Sequence, residues 1–569
     1  MFRRTGIAIV VCSFLAIGGR TLLASQLTYP FPESSLGGVV KSDKGETLEG
    51  IVIRVKKENS HIAYNVVSDA QGLYRFPKLD PGKYLVEIAR ADGLEPEQKN
   101  TEIRAGQEGK VDFTLGRAKD MEAQITSAEW LMNLPGRPEQ KKLISDTCFH
   151  CHTGQLQQFR FDKENWAKIV RLMLGMGVSH SERGVPQRER NLPGFEEKVQ
   201  VIAEYLSQVR GPKPIDMSNA KVLRRPTGRS TRVMFTEYTI PYPNAELHDV
   251  DVDKFGTVWW TDWRWPYLGR LNPETGEMKY WETPPVPNKE DFPGAHEIAF
   301  DKDENPWISM VWSGGILKFD RTTEKMSMFS PPEKASTQSL TIDQKRGRVW
   351  FGLNEGGFRE DHAAYYVPET REYKVFKDFP SYGQVTDSQG NTYGMLKGHM
   401  SHIGRIDAET LNRVDYPTPT PNAFPRRGDY DSQDRIWFAE YNQEQVAMLD
   451  PKTGKITEWK IDLKPFGMEK EPDFIGPPPA NGDYNRIGSP YGLGVDRSTD
   501  EVWIELYRLD RLVRFNSKTG DMTHYYLPER HVMSRSPRMD PKSRPGHSLM
   551  WLGTLPKFGN GKIIKIETW

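Results

Sequence analysis

An Asp, a turn, an apolar strand carrying a large aromatic residue, and a further strand ending near Asp-Pro-x-Thr-Gly recur as one unit through the C-terminal part of this chain of 569 residues. The aromatic anchors are Trp259, Trp307, Trp350, Tyr393, Trp437, Trp503 and Trp551, at intervals of 48, 43, 43, 44, 66 and 48 residues. A repeat of this period constrains the fold more than any single motif does. One unit cannot bury its own apolar face, so neighbours must stack. Seven units of four short strands predict a seven-bladed β-propeller over residues 231–569. The turns Asn272-Pro273-Glu274-Thr275-Gly276, Asp450-Pro451-Lys452-Thr453-Gly454 and Asn516-Ser517-Lys518-Thr519-Gly520 set the phase. The one long interval holds a Pro-rich insertion, 466–489, expected to form a loop over one face. The chain ends in a segment, 562–569, that fits only a third strand, while 233–241 reads as an outer strand. Pairing the two would close the ring and remove an exposed sheet edge.

Upstream lies Cys148-Phe149-His150-Cys151-His152. Cys-x-x-Cys-His is the attachment sequence for one c-type haem. Its two thiols add to the porphyrin vinyl groups, and the adjacent imidazole gives the iron an axial nitrogen. A local disulfide, a redox dithiol or half of a zinc site would also use two cysteines. The third cysteine, Cys12, sits in an apolar run from Ile7 to Ile17 that follows Arg3 and Arg4 and precedes small residues. That order predicts a secretory signal over 1–24 and a periplasmic or otherwise exported protein. Arg20 interrupts the run before the roughly 20 apolar residues of a membrane span, so no transmembrane span is expected after removal of the signal. Exported proteins turn spare cysteines into disulfides, and here none would be left over. Lys plus Arg and Asp plus Glu are each 77, which gives no global attraction to nucleic acid.

Around the cysteines the apolar spacing is helical. Trp130, Leu131 and Leu134 precede a helix containing Leu143 and Ile144. Asp162 can cap a helix with Trp166, Ile169, Val170 and Met173 on one face, and a last helix runs over 195–209 with Val199, Ile202, Ala203 and Leu206 inward. This is a small α-helical domain at 127–212. Residues 28–116 instead show short alternating runs between turns such as Asp69-Ala70-Gln71-Gly72 and Asp80-Pro81-Gly82, which predicts a small antiparallel β-sandwich. The chain is therefore expected to be multidomain and mainly β.

A register argument places a candidate site in the propeller. Five residues before the Asp that opens each unit, the chain enters the innermost strand at one mouth of the channel. Those positions are His248, His296, Gln338, Tyr382, Arg426, Tyr491 and Arg535. A ring so polar, basic and aromatic suits an anionic or phenolic ligand.

Three resemblances follow from these residues. Ser68 to Phe76 with Leu79 to Tyr84 resembles the carboxypeptidase regulatory-like family of transthyretin-type sandwiches. The order of features from Trp130 to Val209 resembles the mono-haem class I cytochrome c family. On that resemblance His152 is the proximal iron ligand and Met173 the distal one, with Met176 and His180 as competitors. The propeller units resemble the virginiamycin B lyase (streptogramin lyase) family. There the pattern of Glu246, His248 and Asp262 implies Mg2+ held by Glu246 and Asp262, with His248 and Glu246 as catalytic groups. Two departures stand out: the last acid is Asp instead of Glu, and His296 follows this blade instead of preceding it. Glu440 and Glu505 hold the position of Asp262 in their own blades and would add to an acidic channel.

The leading expectation is an exported electron-transfer haemoprotein whose propeller binds a substrate or a redox partner, either a protein or a small-molecule electron donor. The alternatives are a metal-dependent lyase or hydrolase carrying an accessory haem, and a non-catalytic binding or sensing protein.

Overall fold

The computed structural model of the chain describes residues 34–148, 155–175, 194–284, 294–311, 314–332, 335–354, 362–396, 401–476, 486–556 and 559–569. The expected signal, Cys12 included, lies outside them. No helix among the described residues is long and apolar enough to cross a membrane.

The first module has eight strands: β1 (Ser34–Ser42), β2 (Val52–Lys57), β3 (Ile62–Val67), β4 (Leu73–Pro77), β5 (Gly82–Arg90), β6 (Gln98–Ile103), β7 (Gly109–Lys110) and β8 (Phe113–Leu115). One sheet is built on β1, which pairs β4 antiparallel but β7 and β8 parallel, so the sandwich is not purely antiparallel as expected. The other has the order β3-β2-β5-β6. Inward residues of both, among them Leu36, Val40, Ile53, Val55, Tyr74 and Val86, form one core. Alternation of period two, with one face buried, is what specifies this pairing.

Among the described residues, four helices follow: α1 (Ser127–Asn133), α2 (Pro138–Thr147), α3 (Lys163–Gly175) and α4 (Phe195–Val209). Thr126 and Glu129 form a capping box at α1, and Asp162 accepts the Asn165 N–H at 2.9 Å at the start of α3. Each satisfies donors that the first turn leaves unpaired. Trp130, Ile144, Trp166, Val170, Ile202 and Leu206 meet in a common core.

The remainder is a ring of seven radial sheets. Blades 1 to 6 occupy 247–282, 295–329, 336–376, 381–417, 425–460 and 490–526, each a four-stranded antiparallel meander. Their inner strands lie side by side in order around the ring. One carboxylate explains the repeat. In blade 1, Asp253 Oδ1 accepts the N–H groups of Phe255 and Thr257 at 3.0 and 2.9 Å, while Oδ2 accepts the Trp259 indole N–H at 3.1 Å. The same Asp-to-aromatic bond recurs at Trp307, Tyr393, Trp437 and Trp551. The Asp thus shapes the turn and pins the anchor of the next strand.

Blade 7 takes Arg538–Met539, Ser548–Gly553 and Lys562–Thr568 from the end of the chain, and its outer strand is β9 (Val233–Thr239). Pairing runs from Lys562 opposite Thr239 to Thr568 opposite Val233, the expected closure. The other edge of β9 is also paired. It runs antiparallel to β3, from Ile62 opposite Tyr238 to Val66 opposite Met234. Blade 7 and one sandwich sheet are therefore a single eight-stranded sheet. Val52 and Val67 of the sandwich share a core with Phe235, Ile564 and Tyr526.

Arg54 locks this joint. Its guanidinium lies 2.9 Å from Glu237 on β9, 3.0 Å from Glu87 on β5 and 3.1 Å from Glu529 in the loop before blade 7. Removing one partner of a buried ion pair leaves the other charge uncompensated. Arg54→Ala should lower the unfolding free energy by about 3 kcal/mol. The sandwich and propeller should still melt together in urea, followed by tryptophan fluorescence and circular dichroism. Two separate transitions in the wild type would contradict a shared sheet.

Candidate functional site

Cys148 closes α2. The Cys148 N–H bonds the Ile144 carbonyl at 2.9 Å, and the residue is half-buried against the helical core. Cys151, His152, Met176 and His180 lie outside the described residues. Met173 is half-buried near the end of α3. Leu143, Ile169 and Leu174 line the helical core incompletely covered, and Leu172 is 51% exposed.

In the propeller, all seven ring residues are buried around one end of the channel. The ladder between the first two strands slips at this position in each of blades 1 to 6. Such a bulge re-aims side chains locally. It lets the residue after each ring position line the channel as well: Asp249, Glu297 and Arg427 in blades 1, 2 and 5. Gly383 and Gly492 hold the same place in blades 4 and 6, where a Cβ would lie 2.5 Å from the carbonyl of Arg426 or Arg535 in the next blade.

The ring has two halves. In one, the His248 imidazole lies 3.7 Å from that of His296 and stacks on Trp263 at 4.9 Å, centroid to centroid. His248 Nδ1 is 3.0 Å from Asp249 Oδ2. Arg427 bridges Asp249 at 3.0 Å and Glu297 at 3.1 Å. In the other half, the Tyr382 and Tyr491 hydroxyls are bonded to each other. Arg426 lies 3.8 Å over Tyr441 and 4.6 Å over Tyr491. Arg535 lies 4.8 Å over Tyr491 and 5.8 Å over Tyr507.

Electrostatics separates the roles. Burial, reinforced by Arg535 and Arg427, outweighs Asp249 and lowers His248 to about 3. Burial and the neighbouring His248 likewise push His296 well below the usual range. Burial opposes ionisation of Asp249, but Arg427 and the His248 hydrogen bond hold it well below the carboxylate range. The pair is therefore a neutral imidazole donating from Nδ1 to a carboxylate, which leaves the Nε2 lone pair as a base. Burial would raise Tyr491, but Arg535, Arg426 and Arg427 reverse this and lower it. Tyr382 is raised well above its ordinary value by burial and by Tyr491. Tyr382 is thus the donor of the hydroxyl pair.

The acids expected to hold Mg2+ do other work. Asp262 Oδ1 accepts the N–H groups of Arg264 and Trp265 at 2.8 Å each, and its Oδ2 accepts the Tyr242 hydroxyl at 3.1 Å and the Glu246 N–H at 3.2 Å. It shapes a turn, and burial raises it to about 7. The Glu246 carboxylate lies 3.4 Å from Arg264. Among the described residues, the donor atoms that do converge, within 4.8 Å of one another, belong to His248, Asp249 and His296. There Asp249 is already paired with Arg427, and Arg535 adds positive potential, so the arrangement does not fit a divalent cation. Glu440 and Glu505 are fully buried, and burial pushes both well above the usual range. Burial therefore favours their neutral forms. Sequence reasoning also missed Trp263, Tyr441 and Tyr507, of which the first two directly follow the acids Asp262 and Glu440.

Toward the other end of the same strands a cavity of about 350 Å³ is lined by Asp251, Gln384, Asp429 and Arg538, among others. At the ring end the channel meets the helical module. Tyr491 stacks on Tyr507 at 5.3 Å. The next residue, the buried Arg508, donates to Ser145 Oγ of α2 at 3.3 Å and accepts from Ser127 Oγ of α1 at 3.3 Å through its carbonyl. Ser145 is three residues before Cys148. The insertion 466–489 takes part too: Phe474 and Ile475 are buried in the helical core.

The neutral histidines set a pH dependence. Below the ordinary value of 6.5 the unfolded chain takes up a proton at His248 while the folded protein does not. Stability therefore falls as pH falls. From pH 6.5 to about pH 5, His248 alone should withdraw about 2 kcal/mol. Urea titrations across this range should give a flatter slope for His248→Gln; an unchanged slope would contradict the assignment.

Residues 35–116 match the model of the carboxypeptidase regulatory-like domain. Over 93 residues the chain is 29% identical to serine-aspartate repeat-containing protein D of Staphylococcus aureus strain Newman, and equally to that of strain MW2; the match covers 15% of this chain and 7% of the relative. Structural neighbours include selenomethionine-substituted virginiamycin B lyase from Staphylococcus aureus, with a TM-score of 0.46 and 15% identity over 59% of this chain and 99% of that one. A streptogramin B lyase structure gives 0.47 and 16% over the same shares, and the structure of U3-55K gives 0.45 and 9% over 58% and 98%. The protein is thus a multidomain, mainly β chain with a carboxypeptidase regulatory-like sandwich and propeller-type structural neighbours.

Proposed function

We propose that this protein is an exported c-type cytochrome in which one haem c, attached through Cys148 and Cys151 and ligated by His152 and Met173, serves a substrate or redox partner bound at the propeller channel. The observation that carries the reading is the joint between the two modules. The helix that ends at Cys148 is tied by Ser145 to Arg508, whose neighbour Tyr507 stacks on the ring residue Tyr491.

Of the four residues assigned to the group, Cys148 and Met173 are described, and their surroundings support it. A half-buried thiol ends a helix, a half-buried thioether lies on a second helix, and the apolar rim between them is incompletely covered. That is a suitable lining for a flat apolar macrocycle. When bound, the haem would supply one-electron chemistry at a potential raised by thioether ligation. Within the channel, His248 Nε2 can accept a proton that a substrate gives up, Asp249 orients the imidazole through Nδ1, and Arg427 keeps Asp249 ionised. The arginine and tyrosine half positions an anionic or phenolic substrate.

A second reading has one observation in its favour. The His248–Asp249 pair keeps an unprotonated Nε2 in the channel that a substrate could protonate, which would serve a lyase or hydrolase that needs no metal. The cysteines discriminate: turnover retained in Cys148→Ala/Cys151→Ala and lost in His248→Gln would favour the lyase.

Protein matured with the haem-ligation machinery should give reduced and oxidised spectra of a low-spin c-type haem. Met173→Leu should keep the haem attached, remove the spectral signature of sulfur ligation and lower the reduction potential. A spectrum and potential unchanged by Met173→Leu would reject Met173 as the ligand.

A further inference from the structure

We propose that the ring end of the channel is a receptor for a monoanionic carboxylate with a flat unsaturated or aromatic body, seated on Arg535 beside His296. The inference rests on reading the channel as the ligand chamber, and it is independent of the haem.

Arg535 is 8% exposed, and its Nε and Nη1 groups are buried without a hydrogen-bond partner among the described residues. A buried guanidinium left in this state is costly. The acids around it do not relieve it: Asp249 and Glu297 are engaged by Arg427, while Glu505, which feels Arg535, accepts from Ser534 Oγ at 2.8 Å and is pushed by burial toward its neutral form. Its packing neighbours are the rings of Tyr491 and Tyr507, which leave its polar edge unmatched. Opposite, His296 Nδ1 is likewise buried without a partner.

The chemistry of these donors selects the ligand. A planar, permanently charged guanidinium with unmatched N–H donors pairs best with a carboxylate, whose oxygens accept charge-assisted hydrogen bonds. A neutral His296 can add one further N–H bond in the tautomer that carries the proton on Nδ1. A phosphate dianion would require additional positive charge that the neutral histidines do not provide. Tyr491, Tyr507 and Trp263 make the surroundings of these donors aromatic, which suits an unsaturated body. The site also places the ligand near His248 Nε2, the base of the channel.

The probe is benzoate, with benzamide and inorganic phosphate for comparison. Isothermal titration calorimetry on the full chain should find one benzoate per chain, in haem-loaded protein and in Cys148→Ala/Cys151→Ala alike. Benzamide and phosphate should not bind. Arg535→Gln should weaken benzoate by about 30-fold, and without ligand it should melt no lower than the wild type, because an unmatched buried charge has been removed. Benzoate should raise the melting temperature of the wild type and leave that of Arg535→Gln unchanged. Absence of benzoate binding, equal binding of benzamide, stronger binding of phosphate, or undiminished binding to Arg535→Gln would each overturn the proposal. Benzoate binding that persists without haem separates this site from the cytochrome reading, which can then fail alone.

Discussion

A seven-bladed ring must be closed, and here the closing strand is held on both edges. β9 bonds the last strand of the chain on one side and β3 of the sandwich on the other. An unpaired outer strand is an aggregation hazard; in this protein it becomes the joint between two modules. The sandwich therefore acts as a fixed extension of blade 7. Arg54, Glu87, Glu237 and Glu529 specify which faces meet. A second buried set does the same further along, where Arg90 and Arg530 share Asp92 at 3.0 and 2.7 Å and Arg90 donates to the Asp510 carbonyl at 2.9 Å.

With the ring closed, blade geometry decides the site. The Asp-to-aromatic bond fixes the outer end of the inner hairpin in blades 1, 2, 4, 5 and 7, and the bulge at the opposite end in blades 1 to 6 aims successive residues at the axis. Carboxylates, arginines and histidines thereby come together in a region that excludes water. There each carboxylate depends on its surroundings: Arg427 holds Asp249 well below the carboxylate range, while burial outweighs all else at Glu440, and at Glu505 even against Arg535, and favours their neutral forms. The helical module closes over the same end through Arg508, Phe474 and Ile475. Cys148, at the end of α2, and the ring are thus linked through Ser145, Arg508 and Tyr507.

Much of this was legible in the sequence because it is periodic. The seven anchors, the closing strand and the seven ring positions follow from counting residues, since each blade repeats one register. The helices followed from apolar faces and the cap at Asp162. What was not legible depends on contacts between distant segments. Ile62 to Val67 has one polar residue, Asn65, and no clean alternation, so it does not stand out as a strand, and nothing in it marks β9 as its partner. Asp262 stands at a spacing that suits a metal ligand, but its partners, two backbone N–H groups and the Tyr242 hydroxyl among them, emerge only when the turn is folded. The bulges that bring Asp249 and Arg427 to the channel arise from packing around the ring. The insertion 466–489 looked like a loop because its apolar residues are few, yet two of them, Phe474 and Ile475, enter the core of another module.

The account stands on a haem covalently held beside the channel. The most direct test is the intact mass of the exported full chain produced with the haem-ligation machinery. The account predicts the mass of the mature polypeptide plus one haem, with Cys148 and Cys151 closed to alkylating reagents after denaturation. A mass equal to the polypeptide alone, with both thiols open to alkylation, would contradict it.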